Sequence, residues 1–278
     1  MSGQSLTGKV VAVVGSSGGL GTALARSLRA RGARLALLDL DAGALERQST
    51  DLAGPNLARG WPADVTDLAG LQNSMNAAAE HFGRIDVVVA NAGVDSMAPL
   101  STLDEDVYER VIDINLNGVW RTFRAALPHV QQRHGYLLAI SSMAAFVHSP
   151  LQTPYNASKA GVWALCNSLR LEVRHLGVDV GSAHPTFFPT PMTEKSRGDQ
   201  AGRTLYSQDP YGLWTMVPLE QVVRDIVAGI ERRARLITTP RRLSLVARAP
   251  GLVQPLIDRV GFPGTTITEA IAHTSSRG

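Results

Sequence analysis

Cysteine is all but missing: Cys166 is the one thiol in 278 residues. A single cysteine excludes an internal disulfide framework and a cysteine-cluster metal site. The lack of disulfides suits a reducing cytoplasm, which is the expected compartment. An excess of charge of either sign is missing too. The formal net charge is only +3, without the strongly basic balance that a nucleic-acid partner calls for. No apolar run approaches the ~18–20 residues of a membrane span. Met1 to Lys9 lack the apolar core of a secretory signal. There is no internal repeat and no low-complexity tract. His148 and His184 have no paired His or acid at ligand spacing, so they read as polar lining or strand-end residues and no metal centre is expected.

What is present is an ordinary globular composition, 44% hydrophobic and 18% charged, in a chain long enough for one large α/β domain with a full core. Val10-Val11-Ala12-Val13-Val14 is a β-branched run ending in glycines, the pattern of a buried parallel strand. The loop Gly15-Ser16-Ser17-Gly18-Gly19-Leu20-Gly21 follows, then a helical pattern through Leu24 and Leu28, then a second strand from Leu35 to Leu38 ending at Asp39. A βαβ unit with such a loop at its first turn is a mononucleotide-binding arrangement. The alternation continues with a helix over 42–53, a strand near 58–61, a helix over 67–82 and a strand over 85–89. A long helix over 104–130, broken near Pro128, precedes a strand over 136–140. The helix carrying Tyr155 runs to about 175, a strand covers 178–183, and a helix over 219–234 leads to a strand near 235–239. This pattern predicts a right-handed, doubly wound parallel sheet of the Rossmann type, in a single domain spanning 1–278.

Tyr155-Asn156-Ala157-Ser158-Lys159 sets a phenol and an ammonium four residues apart, one turn apart on one helix face. A phenol with a pKa near 10 exchanges protons poorly at neutral pH. A cation beside it favours the phenolate, so Lys159 is expected to lower Tyr155 into the working range of an alcohol or ketone. The glycine loop allows unusual backbone angles and close approach of a pyrophosphate, at which the following helix points its free N–H groups. Asp39, eighteen positions after Gly21, ends the second strand. A carboxylate there accepts hydrogen bonds from an adenosine ribose and repels a 2′-phosphate. No Lys or Arg lies in the loop or within two positions of Asp39, so the expected cofactor is NAD rather than NADP. Asp41 is a neighbouring alternative for the same role.

Taken together these residues resemble the short-chain dehydrogenase/reductase family, in its single-domain branch. The family's Thr-Gly-x-x-x-Gly-x-Gly is matched from Val14 to Gly21, with Val14 in place of threonine. Its Asn-Asn-Ala-Gly is matched by Ala90-Asn91-Ala92-Gly93, with Ala90 for the first asparagine. Asp64, followed by Val65, stands where the family uses an acid to hold the adenine. Asn115-Leu116-Asn117-Gly118 matches the segment whose first asparagine is catalytic. Ser142 lies thirteen residues before Tyr155, the spacing of the family's catalytic serine, with Ser141 adjacent. Pro185-Thr186 replaces a Pro-Gly, and Phe188 and Thr190 occupy positions that hold the nicotinamide carboxamide. The resemblance covers roughly residues 8–192. It implies that Tyr155 is the acid or base and that Lys159 tunes it and bonds the nicotinamide ribose. Ser142 would donate to the substrate oxygen, and Asn115 would position a water linking Lys159 to solvent. The implied cofactor-binding set is Gly15, Ser17, Gly19, Leu20, Gly21, Asp39, Asp64, Val65, Asn91, Ala92, Gly93, Tyr155, Lys159, Pro185, Phe188 and Thr190. Family members usually pair through their long helices, so a homodimer or homotetramer is implied.

Residues 186–218 read as a substrate lid, with Phe187, Phe188, Tyr206, Tyr211 and Trp214. With Met143, Phe146, Met192 and Met216 they suggest an apolar pocket, core packing being the plain alternative for any one of them. The expected reaction is NAD-dependent interconversion of a hydrophobic secondary alcohol and its ketone, of the sterol, terpenoid, long-chain or aryl class. One alternative is an NADPH-dependent ketone reductase, which Asp39 disfavours. Another is a non-catalytic NAD-binding redox sensor, which has no need of Asn115, Ser142, Tyr155 and Lys159 together. Residues 240–278 form a basic, apolar extension. From Gln221 to Arg259 eight Arg accompany three acids. That pattern fits weak contact with an anionic membrane surface or, the favoured reading, a subunit-packing helix.

Overall fold

A computed structural model describes residues 4–207, 215–252, 254–255 and 264–275. Seven strands form one sheet: β1 (Val10–Val14), β2 (Arg34–Asp39), β3 (Ala58–Pro62), β4 (Val87–Ala90), β5 (Tyr136–Ile140), β6 (Asp179–Pro185) and β7 (Leu236–Thr239). Their order is β3-β2-β1-β4-β5-β6-β7, and every pair is parallel. This is the doubly wound sheet that the alternation predicts. Helices α1 (Gly19–Ala30), α2 (Ala42–Asp51) and α3 (Leu68–Phe82) connect the first four strands. They are followed by α4 (Glu105–Ile112), α5 (Gly118–Val130) and α6 (Thr153–Glu172).

The period of two in β1 divides the core. Val11 and Val13 join a cluster with Leu24 and Leu28 of α1 on one face, while Val10, Ala12 and Val14 join Leu71, Met75, Phe123 and Val162 on the other. Both faces of the strand are therefore sealed, which is why the run is continuously apolar. The chain order reverses between β1 and β4, and the ends of those two strands open the crevice in which ligands of such sheets bind.

The expected helix over 104–130 is interrupted at a different place. Pro128 is carried inside α5, in its last turn. The irregularity is a widened π turn over Asp113–Asn117, where Asn115 is completely buried. Such turns mark places where a helix gives up regularity to aim a side chain.

Beyond β6 the lid stretch contains α7 (Pro191–Gly198) and α8 (Gln200–Leu205); Tyr211 and Trp214 lie outside the described residues. Helix α9 (Leu219–Glu231) returns to the sheet, and α10 (Ser244–Arg248) follows β7. A later helix, Gly264–Ser275, packs on α8. Leu243, Ala247 and Ala270 are buried with Met143, Phe146, Leu205 and Tyr206 in a third cluster, at the mouth of the crevice. Leu245 and Leu252 of the same region remain exposed. No helix among the described residues is long and apolar enough to cross a membrane.

Candidate active site

One cleft of about 490 Å³ runs along the strand ends. At one end it is made of backbone. Gly15 adopts φ +79°, and a Cβ there would stand 2.5 Å from the Ala92 nitrogen. A Cβ on Gly21 would meet the Gly15 carbonyl at 2.1 Å, so glycine alone lets α1 begin against the loop. The Asn91 side chain closes the arrangement by donating to the Gly15 carbonyl at 2.7 Å. Helix α1 begins after Gly18 with no side-chain cap, which leaves its first N–H groups for an anion. These features fit a dinucleotide pyrophosphate. Asp39 stands at the end of β2, where its carboxylate accepts from the Ser17 N–H at 2.9 Å and the Leu40 N–H at 2.8 Å. Asp41 instead caps α2 through the Ala44 N–H, which separates the two acids the sequence left as alternatives. Asp64 accepts from the N–H and the hydroxyl of Thr66, both at 2.8 Å.

At the other end the cleft is made of side chains. Ser142, Tyr155 and Lys159 all line it. Ser141 is buried and donates to the Lys159 carbonyl at 2.9 Å, whereas Ser142 is hydrogen-bonded to Tyr155. The Lys159 ammonium donates to the Ile140 carbonyl at 3.2 Å and lies 5.5 Å from the Tyr155 ring centroid. Asn115 accepts from the Val94 N–H at 2.8 Å and donates to the Val94 carbonyl and the Ser158 hydroxyl. Both of its donor positions are thus committed, and it clamps the loop after β4 beside Lys159.

The proton chemistry differs from expectation in one respect. Burial holds the Tyr155 hydroxyl well above the ordinary phenol range; the Asp95 carboxylate pushes the same way, and the Ser142 hydrogen bond offsets only part. Burial also brings Lys159 down to about 8, against the pull of Asp95. Loss of water at both groups outweighs their attraction. Lys159 therefore does not depress Tyr155 in the chain by itself, and Tyr155 rests as the neutral phenol.

Of the residues expected to contact a cofactor or act in catalysis, all but Gly21 and Asn115 line this cleft. Those two lie just behind it. Met143, Phe187, Phe188 and Met192 form part of the wall as the lid reading expects, while Phe146 and Tyr206 pack beneath it and Met216 is exposed elsewhere. His148 is exposed and outside the lining. His184 is fully buried behind Ser142, bonded to the Ser142 carbonyl at 3.0 Å and the Ser182 hydroxyl at 2.8 Å, and burial lowers it to about 4. The structure adds Asp95, Gln152, Ser196 and Leu243, none of which the sequence singles out. A charge two residues past Gly93, in an otherwise apolar strand-end stretch, is the signal for Asp95. Leu243 carries no such signal, because it arrives from a distant segment.

The model for the short chain dehydrogenase family matches residues 9–201. The D-beta-hydroxybutyrate dehydrogenase of Rhizobium meliloti (strain 1021) is 30% identical over 249 residues, 87% of this chain and 92% of that protein. The 11-beta-hydroxysteroid dehydrogenase 1A of Arabidopsis thaliana is 31% identical over 247 residues, 85% of this chain and 70% of that one. A short chain dehydrogenase/reductase from Burkholderia phymatum, solved in complex with NAD, superposes with a TM-score of 0.77 at 25% identity, covering 90% of this chain and 96% of that one.

Proposed function

The chain belongs to the short-chain dehydrogenase/reductase family, oxidoreductases that act on CH–OH groups with a nicotinamide cofactor, and on that premise we propose that it interconverts a neutral, hydrophobic secondary alcohol and its ketone with NAD. The observation that carries this reading is the placement of Ser142, Tyr155 and Lys159 in the same cleft as the glycine loop and Asp39. When bound, the cofactor supplies the hydride acceptor and, oxidised, a positive charge beside the phenol. Gly15, Ser17, Gly19 and the start of α1 would hold the pyrophosphate, and Asp39 the adenosine ribose. Asp64 and Val65 would border the adenine, and Pro185, Phe188 and Thr190 the nicotinamide.

For oxidation Tyr155 would first lose its own proton toward Lys159 and solvent, favoured by the positive charge of the oxidised cofactor, and the phenolate would then take the alcohol proton; in reduction the neutral phenol would give its proton to the substrate oxygen. Ser142 donates to the substrate oxygen as charge develops there. Lys159, titrating near pH 8, holds or releases a proton in the working range and passes it toward solvent. Asn115 positions the loop beside Lys159, and the Val94 N–H leaves one lone pair on its oxygen for a water.

Two choices within this reading rest on charge. Asp39, at the end of β2 and in the same cleft as the glycine loop, would repel a 2′-phosphate, which favours NAD over NADP. The substrate wall offers Met143, Val147, Phe187, Met192 and Leu243 with an acid, Asp95, among them; the cations of the lining are Lys159, beside Tyr155, and Arg110. A carboxylate substrate of the hydroxybutyrate kind is disfavoured there; a neutral frame of the hydroxysteroid kind is not. Val107, Tyr108, Trp120 and Leu171 expose apolar surface on α4, α5 and α6, which supports a homo-oligomer through those helices.

The test is NADH formation from NAD across alcohols graded from short aliphatic to aryl and hydroxysteroid, repeated with NADP. Turnover that rises with apolar bulk and is faster with NAD is expected. Clear NAD binding with no turnover of any alcohol or ketone would return the chain to the class of redox sensors.

A further inference from the structure

Asp95 is the feature of the cleft that neither the cofactor nor the proton transfer requires. It lies five residues past the end of β4, lines the cleft beside Ser142, Ser149, Gln152 and Tyr155, and is partly buried. A carboxylate in an apolar wall costs stability that an alanine or leucine would not, so its presence calls for a task.

The surrounding bonds fix its aim. The Gln152 amide donates to both carboxylate oxygens, at 3.1 Å and 2.9 Å, and the Ser96 N–H donates to one of them at 2.8 Å. Gln152 is itself pinned, its carbonyl oxygen accepting from Ser149 at 2.5 Å and from Tyr206 at 2.9 Å. The remaining donor is the Ser196 hydroxyl, from α7 of the lid. Ser196 also reaches the Met192 carbonyl at 3.1 Å and the Thr193 carbonyl at 3.4 Å, so it has other acceptors when displaced. Two carboxylate oxygens offer about four acceptor positions. The Gln152 and Ser96 bonds and Ser196 fill all four, so the position a ligand could take over is the one Ser196 holds, on a carboxylate close enough to Tyr155 and Lys159 to act on both electrostatically.

We infer that Asp95 recognises a second hydroxyl on the substrate, adjacent to the carbon that exchanges hydride, so that the preferred substrate is a vicinal diol or hydroxyketone on an apolar frame. This rests on the alcohol dehydrogenase reading above and narrows its substrate class. One hydroxyl meets Ser142 and Tyr155; its neighbour donates to Asp95 and replaces Ser196, which also ties the lid helix to the presence of substrate. A hydrogen bond to a buried charge discriminates strongly against a ligand that lacks the donor.

The test compares matched pairs with NAD: indanol against cis-indane diol, and cyclohexanol against cis-cyclohexanediol, in the native protein, Asp95→Asn and Asp95→Ala. The ratio of kcat/KM for diol over mono-alcohol is the readout, because a general loss of folding cancels in it. A native preference for the diols is expected, falling about 10- to 100-fold in Asp95→Ala, with Asp95→Asn between. Equal ratios in all three proteins, or a native preference for the mono-alcohols, overturn the role of Asp95 while leaving the dehydrogenase intact. Absence of turnover for every compound in the native protein overturns the dehydrogenase reading and this inference with it.

Discussion

The two ends of the cleft are built by different means. The cofactor end is backbone from one continuous βαβ unit, shaped by Gly15 and Gly21 and braced by Asn91. The substrate end is assembled from side chains of the stretches after β4 and β5, of α6 and α7, and of the segment after β7, over a separate small core. A loop that must let a pyrophosphate approach the main chain has few solutions, and they recur within a short stretch of sequence. A wall that must match one substrate has many solutions, and its parts come from wherever the fold brings them. The first end tolerates almost no change, whereas the second tolerates repacking.

The largest effect should come from breaking the rigid end. Gly21→Ala puts a methyl against the Gly15 carbonyl and should weaken NAD binding on the order of 100-fold, read by fluorescence titration. An affinity within threefold of native would show that the loop shifts freely.

The next effect concerns the support beneath the substrate end. His184 is buried neutral, lowered to about 4 from an unfolded value near 6.5. Between those values the unfolded state binds more protons, so stability is full above about pH 6.5 and declines as pH falls toward 4. About 3 kcal/mol should be lost over that window. Urea melts at several pH values check this, and His184→Asn should flatten the decline. An equally steep decline in the variant would assign it to other groups.

A smaller effect separates the two ends. Phe187→Ala should raise KM for a bulky alcohol about tenfold while leaving KM for NAD near native. A parallel rise in both would mean that the wall and the cofactor end are one unit. The smallest expected effect is a displacement in pH. The Asp95 charge raises Tyr155, and also pulls Lys159 upward. Asp95→Asn should therefore move the limb of the oxidation profile that reports Tyr155 to lower pH. Tyr206 and His184 also face this group of charges, so the variant is best compared at fixed ionic strength. A limb that stays in place, or moves up, contradicts the coupling.

The same contrast explains what the sequence discloses. Strand periodicity, the glycine loop, Asp39 and the Tyr155–Lys159 spacing are local signals, and each appears where its pattern places it. The π turn at Asp113–Asn117 is hidden because its cause, the bonds from Asn115 to Val94, links two segments. Pro128 is a strong local breaker that the end of α5 absorbs. The rise in Tyr155's proton affinity depends on burial and on Asp95, neither of which residue spacing reports. Leu243 enters the cleft from more than eighty residues beyond Tyr155.

The measurement that bears most directly on the account is a paired one on Tyr155→Phe: NAD binding by titration, and NADH formation with the best alcohol of the panel. The account predicts binding within about fivefold of native and turnover reduced on the order of 1,000-fold. Turnover within tenfold of native would contradict it, because the proton would then pass through some other group.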